Sequence, residues 1–416
     1  MILAPAQPLD PAILGRALTL LSDWHDALRA RFRQGDAGWE QHYLPPGIEA
    51  PLIHATGDVT DIAARMQAGF DLEQGPLWGA ALVATPDGQR LAVAAHHLLV
   101  DGVSWRMLLE DLQRIYRALE SGEEPGTPRR GTSAGAWADF LADSPLLAAE
   151  LPHWADVAAR IAPPLPLTDG TDTEGDAARI DSHIGADQAR QVLHDVPASY
   201  PVTTPELLVA ALYLAMRDWT GAPALTVQME SHGRPDLSPD IDLSRTVGWL
   251  TALYPVHLAT PDPRPEDVLR MVKEMLRRVP NDGVGYGVLR QAGALPEMPA
   301  QVRFNYLGQT GGLLDGAGLL RPAPESAGPL RGSDNPRDVA LELNILATGD
   351  GLRLGWHFSP GRIAPATVTA LADGFARHLS DLAAHCLTGE DAGFTPADFP
   401  DMDLGADDLE DLLRSL

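Results

Sequence analysis

The stretch RLAVAAHHLLVDGVSWRMLLEDLQRIYRALE, from Arg90 to Glu120, changes its hydrophobic period part-way along. Its first residues read as an apolar strand. From Trp105 onward the apolar positions Trp105, Leu108, Leu109, Leu112, Ile115, Tyr116 and Leu119 recur at helical spacing. Between them lie His96, His97, Asp101, Gly102 and Ser104, with Asp101 or Ser104 placed to cap the helix. A strand that turns through Asp-Gly into a helix is a building unit of layered α/β proteins, which often place active sites at strand carboxyl ends.

Further elements agree with a mixed α/β fold. ILAPAQ reads as a strand, and Asp10-Pro11 opens a helix with Ile13, Leu14, Leu18, Leu21 and Trp24 on one face. LRARF, WEQHYL, ALTVQME, ALYPVHL, QVRFNYL, VALELNILA and LRLGWHF read as strands, the last two joined by a Gly-Asp-Gly turn. LLVAALYLAMRDW, PEDVLRMVKEMLRRV and PATVTALADGFARHLSDLAAH read as helices. The proline cluster and acidic run APPLPLTDGTDTEGD, Ala162 to Asp176, marks the best boundary between lobes. The expected organisation is an N-terminal lobe 1–165, a C-terminal lobe 166–395 and an acidic tail 396–416 ending in DLEDLLRSL, which reads as a linker or a docking helix.

Composition narrows the chemistry. A formal net charge of −26 argues against nucleic acid and anionic membrane as partners. A single cysteine, Cys386, excludes an intrachain disulfide. With no apolar run near membrane-spanning length and no signal peptide, a cytoplasmic protein is the expectation. The single lysine, Lys273, sits among charges outside the apolar face Val268, Leu269, Val272, Leu276, Val279. An exposed lysine of that kind is a poor Schiff-base former.

For His96 and His97, strand alternation lets only one ring face a given cleft. A neutral imidazole suits proton abstraction near neutral pH, and adjacent strand histidines cannot both ligate one metal. From these residues alone, catalysis and packing are equal readings, and no metal site is expected. MESHGRP places Glu230 at a strand end, four residues before Arg234. Without context an ion pair is the commoner reading of a carboxylate beside an arginine. RTVGWLTALYPVHL, NDGVGYGVL and RFNYLGQ mix glycine with aromatic and polar residues, as strand ends and tight turns do. GVGYG lacks the lysine of a phosphate loop.

Together these stretches resemble one family. HHLLVDG resembles the HHxxxDG signature of the condensation superfamily of nonribosomal peptide synthetases, whose fold is that of chloramphenicol acetyltransferase. ESHGR is similar to the EGHGR motif of epimerization domains, and RTVGWLTALYPV, NDGVGYGVL and FNYLGQ resemble three more of their motifs, in order. The resemblance covers nearly the whole chain. It departs at Ser231, where glycine is usual, and at Pro235, where glutamate is common. The family also has an opening segment with a PIQxWF-like motif, and the resemblance implies that the first lobe here lacks it.

The resemblance implies two acetyltransferase-like lobes arranged in a V around a central cleft. It implies a substrate, an aminoacyl or peptidyl thioester on the 4'-phosphopantetheine arm of a peptidyl carrier protein, with adjacent synthetase modules as further partners. The implied reaction inverts Cα, with no cofactor bound by the domain itself. His97 and Glu230 are the implied acid/base pair, and Asn305 and Tyr306 candidate donors toward the substrate carbonyl or enolate. His96, Asp101, Gly102, Ser104 and Arg234 support them, Asp101 by capping or by pairing with an arginine. Trp105 and Trp249 are expected in the core. The rival readings are a condensation domain using the same His97, and an inactive platform that recruits carrier proteins.

Overall fold

A computed structural model describes residues 1–36, 38–126, 131–160, 162–296, 300–309, 318–389 and 393–399. Along the chain they form strands β1 (Ile2–Pro5), β2 (Ala30–Gly35), β3 (Gly38–Tyr43), β4 (Leu52–Thr56), β5 (Trp78–Thr85), β6 (Gly88–Ala95), β7 (Ala178–Gly185), β8 (Ala224–Ser231), β9 (Ala252–Ala259), β10 (Val302–Gln309), β11 (Leu320–Pro322), β12 (Leu341–Thr348) and β13 (Gly351–Phe358). As far as it is described, the chain divides into two compact units. One takes Met1–Asp143, His232–Thr251 and Gly311–Leu330; the other takes Ser144–Ser231, Ala252–Thr310 and Arg331–Leu416.

This division differs from the expected lobes 1–165 and 166–395. The first break falls at Asp143/Ser144, and two later segments return to the first unit. The proline-rich, acidic run 162–176 is no free linker. Leu165 is buried and its N–H donates to Gln301 Oε1 at 2.6 Å, Thr168 N–H donates to the Arg362 carbonyl, and Thr173 bridges to Pro336. Composition alone does not reveal that these polar residues find backbone partners.

In the first unit, five strands run in the order β11-β1-β6-β5-β4. Alternate residues of β5 and β6 go to opposite faces, and both faces are covered. Ala80, Leu82, Leu91 and Val93 pack with helices Pro11–Trp24 and Gly102–Glu120 through Leu14, Leu18, Leu21, Leu108, Leu112 and Ile115. Ala81, Val83 and Ala92 pack with the helix Val59–Ala68 through Val59, Ile62 and Ala63. Burial on both sides explains why RLAVAA reads as a continuous apolar run. Asp10 caps the first helix, accepting from Ala12 and Ile13 N–H at 2.8 and 3.0 Å.

In the second unit, six strands run in the order β7-β13-β12-β10-β8-β9, with β10 parallel to both β8 and β12. β12 and β13 form the expected hairpin, closed where Thr348 pairs with Gly351. Val227, Met229, Phe304, Leu343 and Ile345 belong to a core shared with the helices Thr204–Thr220 and Pro365–Thr388. The intervening residues of these strands are polar, and they carry this unit's share of the expected site residues.

Lys273 corrects the sequence reading: it is fully buried, not exposed. Its Nζ donates to the Gly393 carbonyl at 2.6 Å and to Asp398 Oδ2 at 2.8 Å. Burial holds its pKa below the usual lysine value, partly offset by Asp398. Arg277 joins Asp398 to Glu206. The start of the expected tail therefore belongs to the second unit, with Pro396–Asp398 in a short 3-10 turn. DLEDLLRSL lies outside the described residues. Among the described residues no helix is long and apolar enough to cross a membrane.

Candidate functional site

Each unit holds some of the expected site residues. In the first unit β6 ends at Ala95, so His96 and His97 lie in the turn that follows rather than on the strand. Their division of roles comes from that turn. His96 is partly buried; its Nδ1 accepts from Leu98 N–H at 3.2 Å, and its ring meets Phe70 edge-on at 6.4 Å. Burial, and next the neighbouring His97, hold the His96 pKa below the usual imidazole value. His97 is exposed, and its ring lies against Trp249, 5.2 Å between centroids and tilted by 47°. Trp249 is half exposed, contrary to the expected core position, while Trp105 is partly buried against the core.

Asp101 is both cap and ion partner. Its Oδ1 accepts from Ser104 N–H at 2.8 Å, opening the helix Gly102–Glu120, while Arg234 Nη1 and Nη2 donate to its two oxygens at 2.8 and 3.1 Å. Leu250 N–H donates to Oδ2 at 3.1 Å. Ser104 Oγ lies 2.8 Å from Asp101 Oδ1 and 2.9 Å from the Gly248 carbonyl, and it accepts from Gly248 N–H. Arg234 Nη2 also donates to the Thr246 carbonyl at 3.0 Å. This cluster fixes the VGWL segment that presents Trp249. Arg245 anchors the same segment through Glu110 at 2.6 Å and Asp111 at 2.9 Å, and Asp111 also meets His25. Gly102 is helical and exposed, and a Cβ there would meet nothing within 4 Å, so neither packing nor conformation requires glycine.

In the second unit Glu230 is the penultimate residue of β8. Asn305, on β10, donates its Nδ2 to Glu230 Oε2 at 2.6 Å. The pairing follows from register: β8 and β10 are parallel with Arg303 opposite Gln228 and Phe304 opposite Met229, which brings Asn305 beside Glu230 on the same face. Tyr306 is turned to the other face by the same alternation and packs against the hydrophobic core, where burial raises its pKa. The structure thus brings Asn305 to Glu230 and sends Tyr306 elsewhere. Arg234 pairs with Asp101 in its own unit.

Sequence reasoning passed over Gln228, Arg303, Glu342 and Asn344. Each lies in a polar–apolar–polar triplet, QME on β8, RFN on β10 and ELN on β12, and that repeated pattern is the signal that would have found them. The register sets Gln228, Arg303 and Glu342 in one row and Asn305 beside Asn344 in the next.

The NDGVGYG stretch is a structural device. Asn281, Asp282 and Gly283 all adopt positive φ (47°, 53° and 78°), conformations that cost non-glycine residues energy. Ser231, the departure from the usual glycine, donates its hydroxyl to the Asp282 carbonyl at 2.6 Å and pins this turn. Asn281 Nδ2 donates to Glu150 Oε1 at 2.8 Å and Trp154 Nε1 to Oε2 at 2.8 Å. Burial raises the Glu150 pKa against those two bonds. Among the described residues no group of three or more His, Cys, Asp or Glu is disposed to hold a metal ion.

The condensation-domain family model matches residues 1–404. The chain belongs to the condensation-domain family. As a condensation-family chain it is 35% identical over 432 residues to a linear gramicidin synthase of Brevibacillus parabrevis, covering 99% of this chain and 8% of that protein. It is 37% identical over 429 residues to a chondramide synthase of Chondromyces crocatus, covering 97% of this chain and 11% of that protein. It therefore spans about a tenth of the length of these curated relatives. Among solved structures, the epimerization domain from the third module of tyrocidine synthetase B matches with TM-score 0.85 and 29% identity, over 93% of this chain and 92% of that one. The X-domain from teicoplanin biosynthesis shares the fold, with TM-score 0.75 and 20% identity over 97% of this chain and 92% of that one.

Proposed function

We propose that this chain epimerizes Cα of an aminoacyl or peptidyl group held as a thioester on the 4'-phosphopantetheine arm of a carrier protein. The observation that carries the reading is the Glu230 carboxylate gripped by Asn305 at 2.6 Å. That grip joins the ESHGR strand to the FNYLG strand, the two motifs that distinguish the epimerization branch from amide-forming relatives. The likeness to the tyrocidine synthetase epimerization domain supports the same branch. The small share of its relatives' length covered by the chain favours a carrier and adjacent modules as partners.

The chemistry needs no redox step. One group takes the α-proton as the Cα–H pair moves into the thioester to form an enolate, and a second returns a proton to the opposite face. In this reading His97 and Glu230 are those two groups. Asn305 holds the Glu230 carboxylate for its role, and the Asp101–Arg234 cluster holds the segment whose Trp249 backs the His97 ring. General acid/base assistance is worth about 10²–10⁴-fold per group, so losing either side chain is a severe change.

The test loads a cognate carrier with an L-aminoacyl group in D2O, adds the protein, then hydrolyses and reads chirality and Cα deuterium. The expected result is D product carrying deuterium, abolished in His97→Ala and strongly impaired in Glu230→Gln. Carrier binding without exchange overturns the enzyme reading in favour of a recruitment platform. Amide formation with a second loaded carrier, in the absence of exchange, overturns it in favour of condensation.

A further inference from the structure

We infer that Arg303 is a positioning residue that favours the charged form of Glu230, and that Glu342 competes with Glu230 for it. The inference rests on Glu230 being an acid/base group, as proposed above. Arg303 lies on β10 in the row between Gln228 and Glu342, one row from Glu230 and Asn305. Its side chain is 5% exposed. Nε donates to Gln228 Oε1 at 2.7 Å, which fixes the plane of the guanidinium.

From that position it faces three carboxylates: Glu230 Oε1 at 3.9 Å, Glu342 Oε2 at 3.9 Å and Asp338 Oδ2 at 3.4 Å. Asp338 is 64% exposed and water screens its pull, whereas Glu230 and Glu342 are 22% and 17% exposed. A guanidinium stays charged at any pH a protein survives, so it is a fixed charge. Asn305 hydrogen-bonds Oε2 of Glu230, while Arg303 faces Oε1. At 3.9 Å its field acts on the carboxylate without a direct hydrogen bond to that oxygen.

Other ionisable groups stand near this row, among them Arg331, which acts on Glu342 and Asp338. His257 on β9 stands opposite Thr226, and His357 on β13 stands opposite Glu342. Burial is the largest influence on each histidine and holds its pKa below the usual value, so both are neutral near pH 7. Arg179 and Asp181, on β7 at the far edge of the sheet, hydrogen-bond each other at 2.7 Å. Asp282 lies beyond the strand end, where its carbonyl accepts from Ser231. Arg303 thus favours the charged form of Glu230, and Glu342 draws on the same guanidinium.

The two side chains therefore act with opposite sign. An opposite charge within ~4–6 Å lowers a carboxylate pKa by about 1–3 units. Arg303 is shared, so the lower end of that range applies. With Glu δ-carbons labelled in 13C, the Glu230 signal is identified by its loss in Glu230→Gln, and its titration midpoint is read directly. Arg303→Met raises that midpoint by about one pH unit, Arg303→Lys leaves it near wild type, and Glu342→Gln lowers it. The acid limb of the D2O exchange rate, measured from L- and D-loaded carrier, moves the same way in the direction that uses Glu230 as base. A midpoint unmoved in Arg303→Met, or moved the same way by Arg303→Met and Glu342→Gln, overturns the inference. If Arg303→Met does not fold, Glu342→Gln decides alone, and a midpoint that rises or stays put overturns it. Midpoints that move as expected without the exchange limb following uphold the role of Arg303 and overturn the acid/base reading of Glu230.

Discussion

Replacing Asp101 with alanine is a severe test of how the HHLLVDG segment is held. The carboxylate is 1% exposed and its partner Arg234 6% exposed. Removing one member of a buried ion pair costs about 3–5 kcal/mol, because the other charge is left unpaired. The same carboxylate caps the helix Gly102–Glu120, a role worth about 1 kcal/mol. It also satisfies the buried Leu250 N–H, whose loss costs about 1–3 kcal/mol. These costs overlap, since Arg234 keeps the Thr246 and His232 carbonyls, so the central expectation is about 4 kcal/mol. With a urea dependence of about 2 kcal/mol per molar, the first unit's transition falls by about 2 M. The assay is urea unfolding followed by amide exchange of residues 101–109 and 246–250. Asp181→Ala, which breaks the exposed Arg179–Asp181 pair, serves as control and costs about 0.5 kcal/mol or less. Adding Arg234→Met to Asp101→Ala removes the stranded guanidinium and recovers about 2 kcal/mol. An Asp101→Ala cost no larger than the Asp181 control, or a double variant no better than the single one, would refute the argument.

Two further outcomes are expected. Gly285→Ala drives a Cβ into Glu150 Oε2, a carboxylate that Asn281 and Trp154 prevent from swinging away, so melting of the second unit shows a loss of about 1–3 kcal/mol. Burial pushes the Asp398 pKa up, but hydrogen bonds from Lys273, Thr395 N–H and Arg277 outweigh it and hold the net value below the usual range. A depressed acid stabilises fully above its unfolded pKa of about 3.9 and loses that contribution as pH falls through the folded value. The Thr395 amide therefore loses exchange protection below about pH 4, whereas Asp398→Asn shows weak protection already at pH 7 with little further change in acid.

Much of the architecture was legible because it rests on local pattern. The strand–turn–helix from Arg90 to Glu120, the Asp10-Pro11 cap and the β12–β13 hairpin each depend on residues close in sequence. What failed depends on distant partners. The run 162–176 has a linker's composition, yet Gln301, Arg362 and Pro336 tie it down. Lys273 sits among charges along its helix, and the return of Gly393 and Asp398 accounts for its burial. Trp249 reads as core because large aromatics usually are, but the Asp101 cluster fixes its backbone and leaves the indole beside His97.

The site shows the same limit in sharper form. ESHGR looks like one motif with one task, and its Glu–Arg spacing invites an ion pair. Its two ends fall in different units, the boundary lying between Ser231 and His232. Glu230 ends a strand and takes its partner, Asn305, from another parallel strand, 75 residues away. Arg234 takes Asp101, 133 residues away. Neither partner can be chosen from spacing within the motif, since each depends on sheet register or on a crossover of the chain. The triplets QME, RFN and ELN are local, however, and parallel register turns their alternation into rows of contact. In a chain of this family, a polar–apolar–polar triplet on each of three adjacent parallel strands is therefore stronger evidence for a carboxylate's partners than the residues beside it in sequence.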